Sequence, residues 1–273
     1  MISVVVPAHN EASVVPRLLA ALRPGIDDGR LGVVVVANGC DDDTARVAAD
    51  AGVTVIELAP GDKIGALNAG DAGSRGFPRF YVDADVLVTA DDLERLAARL
   101  VDGVEAVAPT LDLDGRRSGW LVRSYHRYWV SLPTVRHSLA GRGCFGLSEA
   151  GRQRWGEFPS VVADDQFVNQ LFAPHEIAIV EEVTSTVTLP TSIAALVARK
   201  RRSHRGNLEL AGAGVSGATS RVRWIDVVRA DPRRILDLPA FLAVTLLVRV
   251  AAWRDARAGG GSWGADTTSR AVS

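Results

Sequence analysis

Two aspartates one residue apart, Asp83 and Asp85, close the stretch RFYVDADV over residues 79–86. Phe80, Tyr81 and Val82 are strand formers, and an apolar run bounded by polar residues suits a strand buried on both faces. The carboxylates then fall at the strand's C-terminal edge. Ligands of open α/β sheets bind at that edge, where two hard oxygen donors could hold a divalent cation against a phosphate. The same pair equally suits the plainer job of ending a strand and solvating a turn. A second acidic pair, Asp164 and Asp165, stands at the start of a helical pattern through Val168 and Leu171. A glycine-punctuated loop, GRGCFGLS at 141–148, either lets the backbone approach a ligand closely or simply makes turns. Arg199, Lys200, Arg201, Arg202, His204 and Arg205 form a basic run that could meet phosphate oxygens or be a solvated face.

The elements that must position these residues follow from periodicity. Ile2 to Val6 reads as a strand, closed by Pro7 and followed by His9, Asn10, Glu11 and a helix carrying Val15, Leu18, Leu19 and Leu22 inward. A second strand spans 31–37, and a helix opened by Asp41, Asp42 and Asp43 follows the Asn38-Gly39 turn. A strand at 53–58, a helix at 63–72, the aspartate strand, a helix after Asp91 and Asp92, and a strand at 104–108 continue the alternation. That order predicts an α/β fold with a doubly wound, mostly parallel sheet flanked by helices over the first 110 residues.

Beyond it, Trp120, Leu121, Tyr125, Tyr128, Trp129 and Leu132 recur at helical spacing, a packing face more than a sugar-stacking platform. Strands at 177–181 and 183–189 precede a helix from Thr191, and 206–220 reads as a glycine-rich flexible loop. Residues 232–257 read as a last helix whose uncharged core, 238–248, is short of the ~20 residues of a spanning helix. It suits packing on the domain, a dimer contact, or a helix lying on an anionic membrane surface beside Arg233, Arg234, Arg249, Arg254, Arg257 and Trp253. Residues 258–273 are expected to be disordered.

Composition excludes several classes. Lys+Arg 31 against Asp+Glu 32 leaves a net charge of -1, so no nucleic-acid-binding field covers the molecule. The two cysteines, Cys40 and Cys144, lack metal spacing and read as small core or loop residues of a reducing compartment. The opening ISVVVP lacks the features of a secretory signal, which points to the cytosol.

An ordered set of motifs now carries a resemblance: VVVPAHNEA at 4–12, VANGCDDDT at 36–44, DKIGALNAG at 62–70, YVDADV at 81–86, GRGCFGLS at 141–148, ADDQF at 163–167 and RKRRSHRGN at 199–207. The chain resembles the family 2 inverting glycosyltransferases, which share the nucleotide-diphospho-sugar transferase (GT-A) fold. The resemblance implies a transferase domain over 1–207, with a nucleotide-binding half at 1–110 and an acceptor-binding half at 111–207. A flexible linker at 208–231, the helical appendage at 232–257 and the tail then follow.

It also implies roles. Pro7, His9 and Glu11 would line base and ribose, with Asn38 standing where the family usually has a base-binding aspartate. Asp42 would join them or merely cap a helix. Lys63 and Asn68 would reach base or diphosphate, and Gly143 and Cys144 would touch substrate. Asp85 would hold Mg²⁺ or Mn²⁺ and the diphosphate, with Asp83 near ribose and metal. Asp165 would be the base that deprotonates the acceptor hydroxyl, with Asp164 supporting it. Arg199 and Arg202 would close over the diphosphate, and His204 would be a metal ligand or phosphate donor. The implied partners are a UDP- or GDP-linked sugar donor and a lipid-linked, polysaccharide or small-molecule hydroxyl acceptor, met in the cytoplasm or on the inner membrane face. The rival readings are a sugar-phosphate nucleotidyltransferase, whose glycine-rich basic opening loop PAHNEA lacks, and an inactive nucleotide-sugar-binding homologue.

Overall fold

The computed structural model describes residues 1–59, 62–160, 164–212 and 224–258. The chain alternates β1 (Ile2–Ala8), α1 (Val15–Asp27), β2 (Leu31–Asn38), α2 (Thr44–Asp50), β3 (Thr54–Leu58), α3 (Lys63–Gly73), β4 (Arg79–Val82), α4 (Ala90–Ala97) and β5 (Ala106–Asp114). There follow α5 (Trp120–Trp129), α6 (Pro133–Arg136), β6 (Cys144–Leu147), α7 (Glu149–Arg152), α8 (Asp164–Gln170) and β7 (Ile177–Thr188). The last elements are α9 (Ile193–Gly212), α10 (Trp224–Ala230), a 3-10 turn at Pro232–Leu236, and α11 (Leu238–Ala258).

One seven-stranded sheet has the order β3-β2-β1-β4-β6-β5-β7. Strand β1 runs parallel to both β2 and β4, and β2 runs parallel to β3. Strand β6 is antiparallel to β4 and β5 and lies between them, so β5 keeps the direction of the parallel strands without pairing with them. The two strands expected at 177–181 and 183–189 are one strand, β7, continuous through the exposed Glu181 and Glu182.

Two compact units share the chain. One holds residues 1–112, 139–160 and 171–187, and the other holds the described residues of 113–138, 161–170 and 188–273. The boundary between these units differs from the one expected at residue 110: β6 and most of β7 belong with the first unit, because their backbones complete its sheet. The linker expected at 208–231 is also corrected in part. Helix α9 continues to Gly212 and α10 occupies Trp224–Ala230, while 213–223 lie outside the described residues. The tail expected to be disordered lies, past Ala258, outside them as well.

The first unit's core packs Val4, Val6, Leu18, Leu22, Val35, Phe80, Val82, Leu93 and Leu96 between sheet and helices. On the other face α3 lies close to the sheet because Gly70 has no side chain; a Cβ there would stand 2.4 Å from Val5 Cγ1. All four residues of β4 are buried, Arg79 included. Its charge is met by Asp71 of α3, whose carboxylate accepts from Arg79 Nη1 at 2.5 Å, Tyr81 Oη at 2.5 Å and Arg152 Nη2 at 2.5 Å. Burial pushes the Asp71 carboxyl up, but the bonds from Arg152, Tyr81 and Arg79 outweigh it and hold the group below its ordinary value.

The second unit gathers Val122 and Tyr125 of α5, Leu189, Leu196 of α9, and Val244 and Val248 of α11 into its own cluster. Trp120 departs from the packing face predicted for α5 and is 69% exposed, since it stands at the helix's first position.

Asp71→Asn is expected to cost about 3–5 kcal/mol of unfolding free energy in urea at neutral pH, because two buried guanidinium groups lose their counter-charge. With its folded value depressed, Asp71 contributes fully above the unfolded value near ~4 and loses that contribution as pH falls through the folded value. The variant's deficit should therefore shrink in acid.

Candidate functional site

Strands β2 and β3 extend to one side of β1 and β4 lies on the other, so β1/β4 is the switch point of the parallel run. Ligands of open α/β sheets occupy the crevice beyond the carboxyl ends at such a point. Three loops leave the sheet there: 9–14 after β1, 39–43 after β2 and 83–89 after β4.

The first two loops are stitched together. Asp41 N–H donates to Asn10 Oδ1 at 2.8 Å, Glu11 N–H to Thr44 Oγ1 at 2.8 Å, and Ala12 N–H to Asp42 Oδ2 at 3.1 Å. His9 Nδ1 lies 2.7 Å from the Asn38 carbonyl oxygen. Asp42 also accepts from the amide and hydroxyl of Thr44. Burial pushes its carboxyl up, yet the Thr44 and Ala12 bonds outweigh it and hold it low. Asp42 thus braces the two loops, while the N-cap of α2 is its neighbour Asp43. Asn38 is buried, and its Oδ1 accepts from the Asp62 amide at 2.6 Å. That bond uses one of the two lone pairs of the amide oxygen expected to meet the base. Pro7 lies in β1 opposite Val36, His9 is exposed and Glu11 is buried.

Asp62 caps α3 by accepting from Ile64 N at 3.1 Å and Gly65 N at 3.1 Å, and α3 then begins with Lys63. A cation at a helix N-terminus opposes the dipole. Lys63 Nζ instead faces Asp83 Oδ1 at 3.3 Å, with both side chains substantially exposed.

Main-chain bonds hold the acidic turn. Asp83 N–H donates to Gly143 O at 2.8 Å, Val86 N–H donates to Asp83 O at 3.0 Å, and Arg17 Nη2 donates to Asp85 O at 3.3 Å. Gly143 has φ +64, and a Cβ there would stand 2.3 Å from Val86 Cγ2 and 3.4 Å from Asp83 Oδ2. No other residue fits without moving the turn.

Two further expected residues face the protein's own backbone and core. Asn68 exchanges both amide bonds with the backbone of Phe158, donating to its carbonyl at 3.3 Å and accepting from its N–H at 2.7 Å. Its position on α3 turns it to that loop. Cys144 is 1% exposed inside the core, because the strand's alternation sends its side chain inward; burial, then Asp83 and Asp92, push its thiol up.

The remaining expected residues lie in the second unit. Asp164, buried, and Asp165, half-buried, open α8, and Asp165 Oδ1 accepts from Gln166 N at 2.7 Å. Arg199, Arg202 and His204 lie on α9, all half-buried. Among the described residues no three His, Cys, Asp or Glu side chains gather as an all-protein metal cage.

Three charged or titratable groups have surroundings that the sequence reading did not anticipate. Arg142, buried in the glycine loop, donates to Pro109 O at 2.8 Å and is pushed down to about 10 by desolvation. Lys200 sets its ammonium 3.9 Å from the Trp129 ring centre and 5.6 Å from that of Tyr125. Desolvation and then Arg199 push it down to about 7 against the pull of Asp165. His126 is buried, with Nδ1 2.9 Å from the Val122 carbonyl, and desolvation pushes it down to about 3. The nearest sequence signal was the pairing of Tyr125 with Trp129 on one helical face; nothing in it marked charges as their neighbours.

Sheet order and switch-point loops define an α/β protein of the GT-A type. The family model for glycosyl transferase family 2 matches residues 3–146, more than half of the chain, and the chain belongs to that family. Uncharacterised glycosyltransferases of Mycobacterium bovis and Mycobacterium tuberculosis are each 35% identical over 131 residues, covering 48% of this chain and 54% of theirs. The chain thus spans about half the length of the curated relatives it matches. Among solved structures, a mannosyltransferase of Pyrobaculum calidifontis, in complex with GDP-Man and Mn²⁺, has a TM-score of 0.60 at 20% identity, covering 96% of this chain and 76% of that one. Glucosyl-3-phosphoglycerate synthase of M. tuberculosis, in complex with Mn²⁺, UDP and glucosyl-3-phosphoglycerate, has 0.58 at 20% identity, covering 80% and 81%. These likenesses establish the fold.

Gly143→Ala is expected to lose about 1–3 kcal/mol in urea unfolding through backbone strain and overlap with the turn. Gly156→Ala, whose added Cβ meets nothing within 4 Å, should be nearly silent. An unfolded histidine titrates near ~6.5, and the folded His126 refuses the proton until about 3. Its contribution is therefore complete above the unfolded value and falls as pH drops between the two. Thermal midpoints of His126→Gln should decline less than wild type from neutral pH to mildly acidic pH.

Proposed function

We propose that the protein is an inverting glycosyltransferase that moves a sugar from a UDP- or GDP-linked donor to an acceptor hydroxyl in the cytosol, with Mg²⁺ or Mn²⁺ at Asp83 and Asp85. The observation that carries the reading is the placement of this acidic pair on one turn at the β1/β4 switch point, beside Lys63. Two carboxylates without a closed protein cage suit a small hard cation that completes its shell with diphosphate oxygens and water. When bound, the cation would offset the negative charge that develops on the departing β-phosphate.

The chain's own residues do the rest. Asp165 accepts the acceptor hydroxyl's proton as that oxygen bonds to the anomeric carbon from the face opposite the diphosphate. The bond from that carbon to the diphosphate oxygen breaks, its electron pair leaves with the nucleotide, and the anomeric configuration inverts. Asp164 supports the acceptor side. Arg199 and Arg202 supply planar donor forks for the diphosphate, and His204 a further donor or ligand. Lys63 exchanges its Asp83 partner for phosphate oxygen when donor binds. His9 and Glu11 face base and ribose.

Transfer or donor hydrolysis with Mn²⁺ tests the assignment. Asp165→Asn is expected to lower kcat by about 10²–10⁴ while leaving nucleotide diphosphate affinity unchanged. Asp83→Asn and Asp85→Asn should instead abolish the Mn²⁺ dependence of nucleotide binding, read by calorimetry. Full turnover in Asp165→Asn removes the proposed base. Metal-dependent nucleotide binding by the wild type without turnover on any acceptor would favour an inactive binding homologue.

A further inference from the structure

Helix α11 is apolar on both sides. Toward the unit's interior Ala240, Val244 and Val248 are buried, and Phe241 stacks on Tyr125 at 5.5 Å. On the opposite side Leu242 is 53% exposed, Leu246 62% and Trp253 54%, with Val250 at 39% between them. Spacings of four, four and three residues put these four side chains on one stripe. The 3-10 turn before the helix adds Ile235 and Leu236, the latter 81% exposed. A helix apolar all round belongs in a core or at a lipid boundary, and this one has a core on one side only.

Charge decides what the outer side fits. Arg249 lies within the stripe, Arg233 and Arg254 flank it, and all three are exposed. Over 232–254 the sole acid is Asp237, which is buried and accepts from Ser124 Oγ at 2.6 Å and Arg127 Nη2 at 2.6 Å. Among the described side chains of 232–254 the face is therefore apolar with cations, and Asp231 just before it lies 3.0 Å from Arg234 Nε. A second copy docking face to face would desolvate arginines against arginines. Phosphate headgroups meet the same arginines with opposite charge while the apolar stripe enters the headgroup boundary. No helix among the described residues is long and apolar enough to cross a membrane, so contact of this kind lies along the surface.

We propose that the 3-10 turn and the outer stripe of α11 form a docking surface for an anionic lipid leaflet. This goes beyond the transfer reaction and does not depend on Asp165 being its base.

The experiment is sedimentation of the full chain with vesicles of phosphatidylcholine alone or mixed with phosphatidylglycerol. The expected result is co-sedimentation with the mixed vesicles, weakened by added salt. Leu246→Glu, at an exposed position that leaves the fold intact by circular dichroism, should lower partitioning about tenfold or more. Arg249→Gln with Arg254→Gln should reduce the preference for anionic over neutral vesicles. Absence of wild-type co-sedimentation, or equal partitioning of Leu246→Glu, overturns the proposal. So does a wild-type dimer in light scattering that Leu246→Glu converts to monomer. Loss of transfer in Asp165→Asn with partitioning unchanged would keep the two questions apart.

Discussion

Strand β4 is the constraint from which the acidic turn takes its position. It is buried throughout and bonded on both edges, parallel to β1 and antiparallel to β6. An arginine within so enclosed a strand is tolerable because Asp71 supplies its counter-charge and the Asp71 and Ser74 carbonyls accept from its guanidinium. With the strand so held, the chain emerges at Asp83 in one direction, and the Asp83 to Gly143 main-chain bond fixes where the turn begins. Rigid placement matters because a reacting or ligating group loses effectiveness when it is displaced by about 1 Å.

Polar residues around the switch point divide between those spent on scaffolding and those left to face outward. Asp42, Asn38 and Asn68 place their side-chain oxygens on backbone donors of neighbouring loops. Lys63 and Asp83 instead meet each other at a surface where water screens the pair, worth about 0–1 kcal/mol. A pair that weak is readily exchanged for other partners. The scaffold residues give the loops stiffness, and the weak pair leaves the edge able to respond.

Much of this was legible in the linear chain. The apolar run before Asp83, the alternation of strand and helix, and the ordered motifs located the sheet edge and the family. Asp42, Asn38 and Asn68 were less legible, because a polar residue in a motif looks alike whether it faces a ligand or a distant backbone amide. Phe158 lies 90 residues from Asn68, and no local pattern announces that bond. Cys144 was read both as a small core residue and, through the motif, as a substrate contact; it is buried, as is every residue of β6.

The sequence by itself determined element types, the acidic turn's place at a strand end, and family membership, since these rest on local periodicity and on short motifs. Tertiary structure alone decided that β6 pairs antiparallel beside β4, that Asp71 neutralises two arginines, and that α11 keeps one apolar side exposed. Those outcomes depend on contacts between residues far apart in the chain. Their energies come from desolvation and packing, which exist only once the partners have been brought together.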